Sequence, residues 1–441
     1  MIRLIPFALP VLLQVASESP APARRVLHLD DAVQTALRAQ PTVLQARAAR
    51  EAAAARVTQS RAGFLPQIAL SASYQRIHGA ARTTTATNAP GVPAAVPAGA
   101  AATTTTYDFF SFGGTASQLL WDFGQTYERW RSAETSLESF GSNQRATELQ
   151  VLFNVRRAYF AARAQKDLIR VAEETLANHE KHLAQIQGFV GVGTRPEIDL
   201  AQARTDIAND RVALINAQNG YAIAKSQLQQ AMGVMGAADF EVADEWLGPI
   251  DGEDQPSERL VERALAQRPE LVAIEKQREA QTLTARSLRG GYGPALSAIG
   301  GAQETGTTLD SLTFGWNVGA ALTWPIFQGG VTAGQVREAE ANADVSRAQL
   351  EAERLQVRFD VEQAVLTVKA AKAAIAASED ALTNARDRLR LAEGRYEAGV
   401  GSIIELGDAQ VAAANAAATV VQAYFNLSTA RAQLLTALGR R

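Results

Sequence analysis

The chain offers few side chains arranged for chemistry. It has no cysteine and only four histidines in 441 residues, which excludes disulfides, thiolate metal sites and cysteine nucleophiles. His179 and His182 are spaced as a metal-binding pair on a helix would be, with Glu180 between them. His179 falls on an apolar seam, however, so packed histidines are the better reading. Gly290-Gly291-Tyr292-Gly293 is not followed by a helix carrying a lysine, so it is no phosphate loop. No Ser, His and Asp set has supporting context. The sequence therefore predicts no enzyme, no cofactor and no metal. A formal net charge of −3 without a basic patch argues against nucleic acid. What remains is an acidic pair, Glu405 and Asp408, three apart and so on one helix face. Beside it stand two glycine-marked turns, Gly191–Gly193 and Gly399–Gly401.

The elements that must position these residues come from an internal repeat. Val33–Pro66 aligns without a gap on Val261–Pro294, with Val33, Ala36, Leu37, Pro41, Arg50, Glu51, Ala52, Arg61, Gly63 and Pro66 recurring. Gly124–Gly233 aligns on Gly330–Gly439 in a second unbroken register, a shift of 206 positions. Register held over such lengths twice marks a tandem duplication. The first copy carries 22 extra residues between Pro66 and Gly124. Ala80–Thr106, rich in Thr, Ala, Pro and Gly, holds them and reads as a flexible hairpin tip.

Each repeat predicts the same order of elements. A helix of about thirty residues, Leu29–Arg61 or Ser257–Arg289, ends at Gly63 or Gly290-Gly291. Two short strands follow. In the second repeat Phe314, Trp316, Val318, Ala320, Leu322 and Trp324 alternate with small or polar residues, as a lipid-facing strand requires. Ile68, Leu70, Ala72 and Tyr74 alternate likewise in the first, and Phe110, Phe112 and Trp121 lie on the return strand. Proline-free stretches near Gln125–Gly188 and Val331–Ala398 would form helices roughly 100 Å long at 1.5 Å per residue. After each glycine break a return helix runs to Gly233 or Gly439. Leu152, Val155, Tyr159 and Ala162, then Leu168, Val171, Leu176, His179 and Leu183, make a seam of heptad type, so the helices pair as antiparallel hairpins.

Four strands per chain with a lipid-facing side would leave two open edges in the membrane. Unpaired backbone groups there cost several kcal/mol each, so the barrel must close, and four strands cannot enclose a pore. Three chains supply twelve strands, within the range of outer-membrane barrels. The predicted fold class is an α+β membrane protein. It forms a trimeric twelve-stranded β-barrel continued by a long antiparallel α-helical tunnel, and it is internally duplicated. Arg3, the apolar run Leu4–Ala16 and Val15-Ala16-Ser17 read as a signal peptide spanning residues 1–17. No cysteine follows for a lipid anchor, and no apolar run reaches the length of a membrane helix. The first structural repeat is assigned to residues 18–248, with a hairpin at about 67–123 and a helical hairpin at about 125–233. The second takes 249–441, with a hairpin at about 295–327 and a helical hairpin at about 330–439. The rival architecture is a periplasmic or surface coiled-coil scaffold without a pore, which the Phe314–Trp324 alternation opposes.

This layout resembles the TolC family of outer-membrane efflux proteins over essentially the whole mature chain. The motifs that carry the resemblance are Phe64-Leu65-Pro66 entering the first strand, Ile326-Phe327-Gln328-Gly329-Gly330 leaving the last, and Val192-Gly193-Thr194 at the first tip. The resemblance implies a homotrimer in the outer membrane of a Gram-negative bacterium, with a tunnel reaching into the periplasm. It also implies a passive duct for efflux or type I secretion, docked to a periplasmic adaptor (membrane fusion) protein and an inner-membrane pump of RND or ABC type. By the same resemblance, Glu405 and Asp408 form an acidic ring at the pore constriction. Asp199 helps hold the mouth shut, and Tyr396 matches one of its partners in the neighbouring chain. Val192, Gly193, Thr194, Gly399 and Gly401 are expected at the adaptor-docking tips. Gly401 departs from the family pattern, which has a basic residue there, and Arg395 and Arg195 are the nearby candidates for its role.

Overall fold

The computed structural model describes residues 25–80 and 104–441. The expected signal peptide, and residues 81–103 of the expected hairpin tip, lie outside the described residues. In chain order the elements are β1 (Arg25–Leu27), α1 (Leu29–Ala39), α2 (Pro41–Arg61), β2 (Gln67–Ala80) and β3 (Thr104–Trp121). Next come α3 (Gln125–Gly191), α4 (Glu197–Met232), β4 (Phe240–Val242), α5 (Ser257–Gln267) and α6 (Pro269–Gly290). The chain ends with β5 (Ala295–Gly306), β6 (Thr313–Thr323), α7 (Val331–Glu397) and α8 (Ile403–Ala437). The two longest helices, α3 and α7, have 67 residues each.

Three differences from the sequence-based expectation have local causes. The thirty-residue opening helices are each broken in two, at Gln40 and Arg268. Both residues precede a proline and sit in extended backbone, with ψ of 121° and 123°. Proline crowds the residue before it out of the helical region, then fits without cost at the first position of the next helix. The return strand starts at Thr104, so it takes in threonines that composition assigned to the loop. Finally, β1 and β4 form a small parallel sheet. Strands of three residues carry no alternation to read.

Contacts divide the chain into two units, each assembled from separate stretches of sequence. One takes Pro41–Phe153, Pro249–Lys369 and Gln433–Arg441. It contains a four-stranded antiparallel sheet in the order β2-β3-β5-β6, which leaves β2 and β6 at the edges. The sheet presents its apolar residues outward: Ile68 is 75% exposed, Leu70 86%, Trp316 71% and Val318 79%. Opposite them in register stand small residues, Ala116, Gly114, Ala302 and Gly300. Beneath the sheet α3 lies close against α6. The Ser132 and Ser139 hydroxyls donate to the carbonyls of Ala280 and Ala273 at 2.8 Å, and Ser287 donates to Gln125 at 2.7 Å. Only small side chains permit backbones to approach this way. At the break before α6, the buried Arg268 guanidinium reaches Asp360 at 2.8 Å, so its charge is paired.

The other unit takes the N-terminal stretch to Gln40 with Asn154–Gly248 and Ala370–Ala432. Tyr159, fully buried, donates its hydroxyl to Glu245 at 2.7 Å, and the same carboxylate accepts the free N–H of Leu29 at the start of α1 at 2.6 Å. Burial works to raise the Glu245 carboxyl, but these two hydrogen bonds together with the nearby His28 outweigh it and hold the group below the usual range. Phe160, Trp246 and Tyr424 stack in series, each pair 6.1 Å apart at 26°. The helices of this unit run as antiparallel hairpins. Glu180 meets Arg211 across α3 and α4, and Tyr424 donates to Glu379 across α8 and α7 at 2.6 Å. His179 pairs with Asp210 of α4, and His182 lies 2.9 Å from Glu393 of α7, so both histidines pack between helices. Among the described residues no helix is long and apolar enough to cross a membrane.

Candidate functional site

The turns α3–α4 and α7–α8 belong to the same unit and meet over a small apolar core. Ile186, Ala203, Ala392, Tyr396, Leu406 and Ala409 are buried there, with Phe189 and Ile403 packed around them. Each long helix ends in the same way. Gly193 N–H donates to the Val190 carbonyl at 3.0 Å and Thr194 N–H to Phe189 at 3.0 Å, while Gly399 and Val400 do the same to Tyr396 and Arg395. This pair of bonds defines the Schellman cap. It requires left-handed backbone at Gly193 and Gly399, where φ is +74° and +80°, a region that costs a side-chain-bearing residue about 1–2 kcal/mol.

The acidic and aromatic residues take unequal positions. Asp199 is 5% exposed and accepts the Tyr396 hydroxyl at 3.0 Å, with Tyr396 itself 3% exposed. The resemblance implied that this partner comes from a neighbouring chain. Within the chain itself the hydroxyl reaches Asp199, because both turns pack onto one core. Burial, then the adjacent carboxylate, pushes the Tyr396 hydroxyl up to about 12, so it remains a donor at any physiological pH. Glu405 is half-exposed and lies 3.1 Å from Arg395, while Asp408 is exposed. An exposed ion pair of this kind contributes less than about 1 kcal/mol.

Arg195 makes firmer contacts. Its guanidinium donates to the Tyr396 carbonyl at 2.7 Å and to the Gly401 carbonyl at 3.2 Å, and it lies 4.3 Å from the centre of the Tyr396 ring. Hydrogen bonds from a charged donor are worth about 1.5–3 kcal/mol each, so Arg195 outweighs the Arg395–Glu405 pair. Of the five residues expected to dock an adaptor, Val192, Gly193, Thr194 and Gly399 are exposed, whereas Gly401 is buried beneath the arginines. Three exposed aliphatic residues beside them, Ile198, Val400 and Ile404, were missed. The signal was present, since Ile198 and Ile404 occupy equivalent positions of the two repeats.

Two turns capped alike over one core, helices of 67 residues, and elsewhere in the chain a sheet that turns its apolar residues outward define the class: a protein whose strands are suited to face lipid. The sequence matches the family of outer membrane efflux proteins over residues 32–234 and 260–440. The chain belongs to that family, and so to the efflux proteins of the outer membrane. SilC of Salmonella typhimurium, described as a probable outer membrane lipoprotein, is 26% identical over 304 residues, 67% of this chain. SrpC of Pseudomonas putida, a solvent efflux pump outer membrane protein, is 25% identical over 286 residues, 60% of this chain. The matched stretches span 65% of SilC and 57% of SrpC. Among solved structures, CusC superposes with a TM-score of 0.78 at 22% identity, covering 94% of this chain and 92% of that one. The CmeC outer membrane channel of Campylobacter jejuni gives 0.78 at 20% identity, covering 93% and 85%. The fold is shared with these proteins.

Proposed function

We propose that the chain is the outer-membrane component of a tripartite efflux system, a passive duct that three copies build together. The observation that carries this reading is the sheet. Its apolar face is bare, and among the described residues its two edge strands, β2 and β6, have no strand partner on one side. In lipid those groups must be satisfied, and pairing β2 of one copy with β6 of the next does so. Three copies close a twelve-stranded barrel. The helices support the same assembly. Leu355, Phe359 and Leu366 on α7, and Val212 and Ile215 on α4, are exposed at heptad spacing, as seams awaiting a neighbour would be. Two repeats, 18–248 and 249–441, would then alternate around the axis and the helices would extend the barrel as a periplasmic tunnel.

In this reading the turns form the periplasmic mouth. Glu405 and Asp408 ring it with negative charge, Asp199 and Tyr396 hold it closed, and Val192, Gly193, Thr194 and Gly399 meet a periplasmic adaptor protein. An inner-membrane pump selects the cargo. Relatives named for efflux pumps favour efflux over type I secretion, and solvent-like apolar molecules are a cargo class to test first. The duct itself catalyses nothing. The test is membrane fractionation followed by reconstitution. The protein should stay in outer membranes washed with urea and, once purified, conduct ions across planar bilayers. Release by urea together with a silent bilayer would overturn the proposal in favour of a surface scaffold.

A further inference from the structure

The outward face of the sheet is not flat. Across its two inner strands, β3 and β5, Gly114 pairs with Ala302 and Ala116 with Gly300, and Ala298 continues the row toward the helices. On the edge strands Leu70 and Ile68 flank these rows from β2, and Trp316 and Val318 flank them from β6. Bulky walls over a low floor make a groove that runs along the strands. It opens to about 500 Å³ among Leu70, Ala72, Phe112, Gly114, Ala302 and Phe314. Phe112 and Glu304 stand at its far end, and Trp121 and Leu296 at the end that leads into the helices.

Nothing inside the chain demands so low a floor. Neither Gly114 nor Gly300 has the left-handed backbone that favours glycine. A β-carbon on Gly300 would stand 3.8 Å from Val318 Cγ2 and 3.7 Å from the Asn317 carbonyl oxygen, which is ordinary contact. On Gly114 it would meet the tip of the flexible Leu70 side chain at 3.0 Å. Glycine weakens a strand interior and marks places where a ligand or another backbone comes close. Closure of the barrel would join β2 to β6 of the next copy, so no neighbouring strand covers the middle of the sheet.

Length and charge identify the occupant. From Ala298 to Ala302 the floor runs about 14 Å at 3.4 Å per residue, close to the roughly 15 Å of hydrocarbon in one leaflet. The floor strands lead into α3 and out of α6, which pack together through Ser132, Ser139 and Ser287. Arg129 on α3 and Arg286 on α6 each lie within roughly 6 Å of the helix end that faces the sheet, at 1.5 Å per residue. Both are exposed and have no ion-pair partner among the described residues, whereas Arg131 and Arg289 are paired with Glu134 and Glu340. Trp121, Tyr292 and Trp324, all more than half exposed, mark the same level as an interface. At that level a guanidinium meets phosphate oxygens, which it binds in bidentate fashion. We infer that the groove holds an anionic phospholipid of the helix-side leaflet, an acyl chain between Leu70 and Trp316 and its phosphate at Arg129 and Arg286. This rests on the proposal that the sheet closes a barrel in the membrane, and each chain of that barrel carries one such groove.

The test is native mass spectrometry of the full-length complex, released from detergent after incubation with phosphatidylglycerol, phosphatidylethanolamine or lipopolysaccharide. The trimer should retain one phosphatidylglycerol per chain, in about tenfold preference to phosphatidylethanolamine. Arg129→Gln combined with Arg286→Gln should erase that preference and leave retention of phosphatidylethanolamine as it was. Gly300→Leu raises the floor and should cut phosphatidylglycerol retention by about tenfold through lost packing. Ala302→Leu does the same from the next row, so the groove stays testable if one floor variant fails to assemble. Native retention in an assembled floor variant would overturn the groove, and an undiminished preference in the arginine variant would overturn the phosphate site. Preferential retention of lipopolysaccharide would put the occupant in the other leaflet and end the inference. A trimer that holds no phosphatidylglycerol sinks the inference alone, whereas a complex of one chain sinks the barrel proposal beneath it.

Discussion

Replacing Gly401 by valine should cut efflux by about tenfold or more while leaving the protein assembled in the outer membrane. The β-carbon alone would approach the Tyr396 nitrogen to 2.9 Å and the Arg395 carbonyl carbon and Cβ to 3.1 Å. Two of these three are backbone atoms, so the last turn of α7 must shift. Overpacking of this sort costs about 1–3 kcal/mol, and here it falls on the segment that presents both carbonyls to Arg195. The bond from Gly401 N–H to the Arg395 carbonyl, 2.8 Å, is lost with it. Gly399→Val is the informative contrast. Nothing lies within 4 Å of a β-carbon there, so only the strain of positive φ remains, about 1–2 kcal/mol. Export of a fluorescent pump substrate should fall by about tenfold or more for Gly401→Val, and less for Gly399→Val. Equal, intact export by both variants would mean that the second turn has no part in transport.

Alanine at both Glu405 and Asp408 should remove most of the channel's preference for cations. Three copies would place six carboxylates around a narrow mouth, where low-dielectric walls focus their field. The two residues should not contribute equally. Glu405 has the Arg395 guanidinium at 3.1 Å, which offsets its charge, whereas Asp408 is exposed. Asp408→Ala should therefore cost more selectivity than Glu405→Ala, and the double variant the most, with a several-fold fall in the cation-to-anion permeability ratio. Reversal potentials under a salt gradient give this ratio. The recordings belong at low ionic strength, because the screening length is only about 8 Å at 0.15 M. Asp199 should add little to the field, since it is buried and holds the Tyr396 hydroxyl. An unchanged ratio in the double variant would move the constriction away from α8.

Much of this architecture was legible in the residues because its signals are long-range and periodic. Heptad spacing through Leu152, Val155, Tyr159 and Ala162 gave the seam, and all four are buried. Strict alternation from Phe314 to Trp324 gave a strand that faces outward. The glycines at 193 and 399 marked helix ends to within two residues. What escaped was local or three-dimensional. The prolines at 41 and 269 were visible, but each opens a helix of its own, and the break falls one residue earlier, where proline crowds its neighbour out of the helical region. The three-residue strands β1 and β4 gain their pairing only from chain ends brought together. Most instructive is Arg195. Its equivalence with Gly401 was implicit in the repeat register, yet its use of backbone carbonyls, which no sequence pattern encodes, emerged only from the packed turns.

The proposed duct exists only if three chains close one barrel. The most direct measurement is the protein mass of the purified complex in mild detergent, by light scattering with the detergent contribution subtracted. One chain as sequenced has a mass of 47.0 kDa. A particle of three chains, dissociating to single chains only on heating in denaturing detergent, is the expected result. A stable particle containing one chain, with β2 and β6 both unpaired in the detergent, would contradict it.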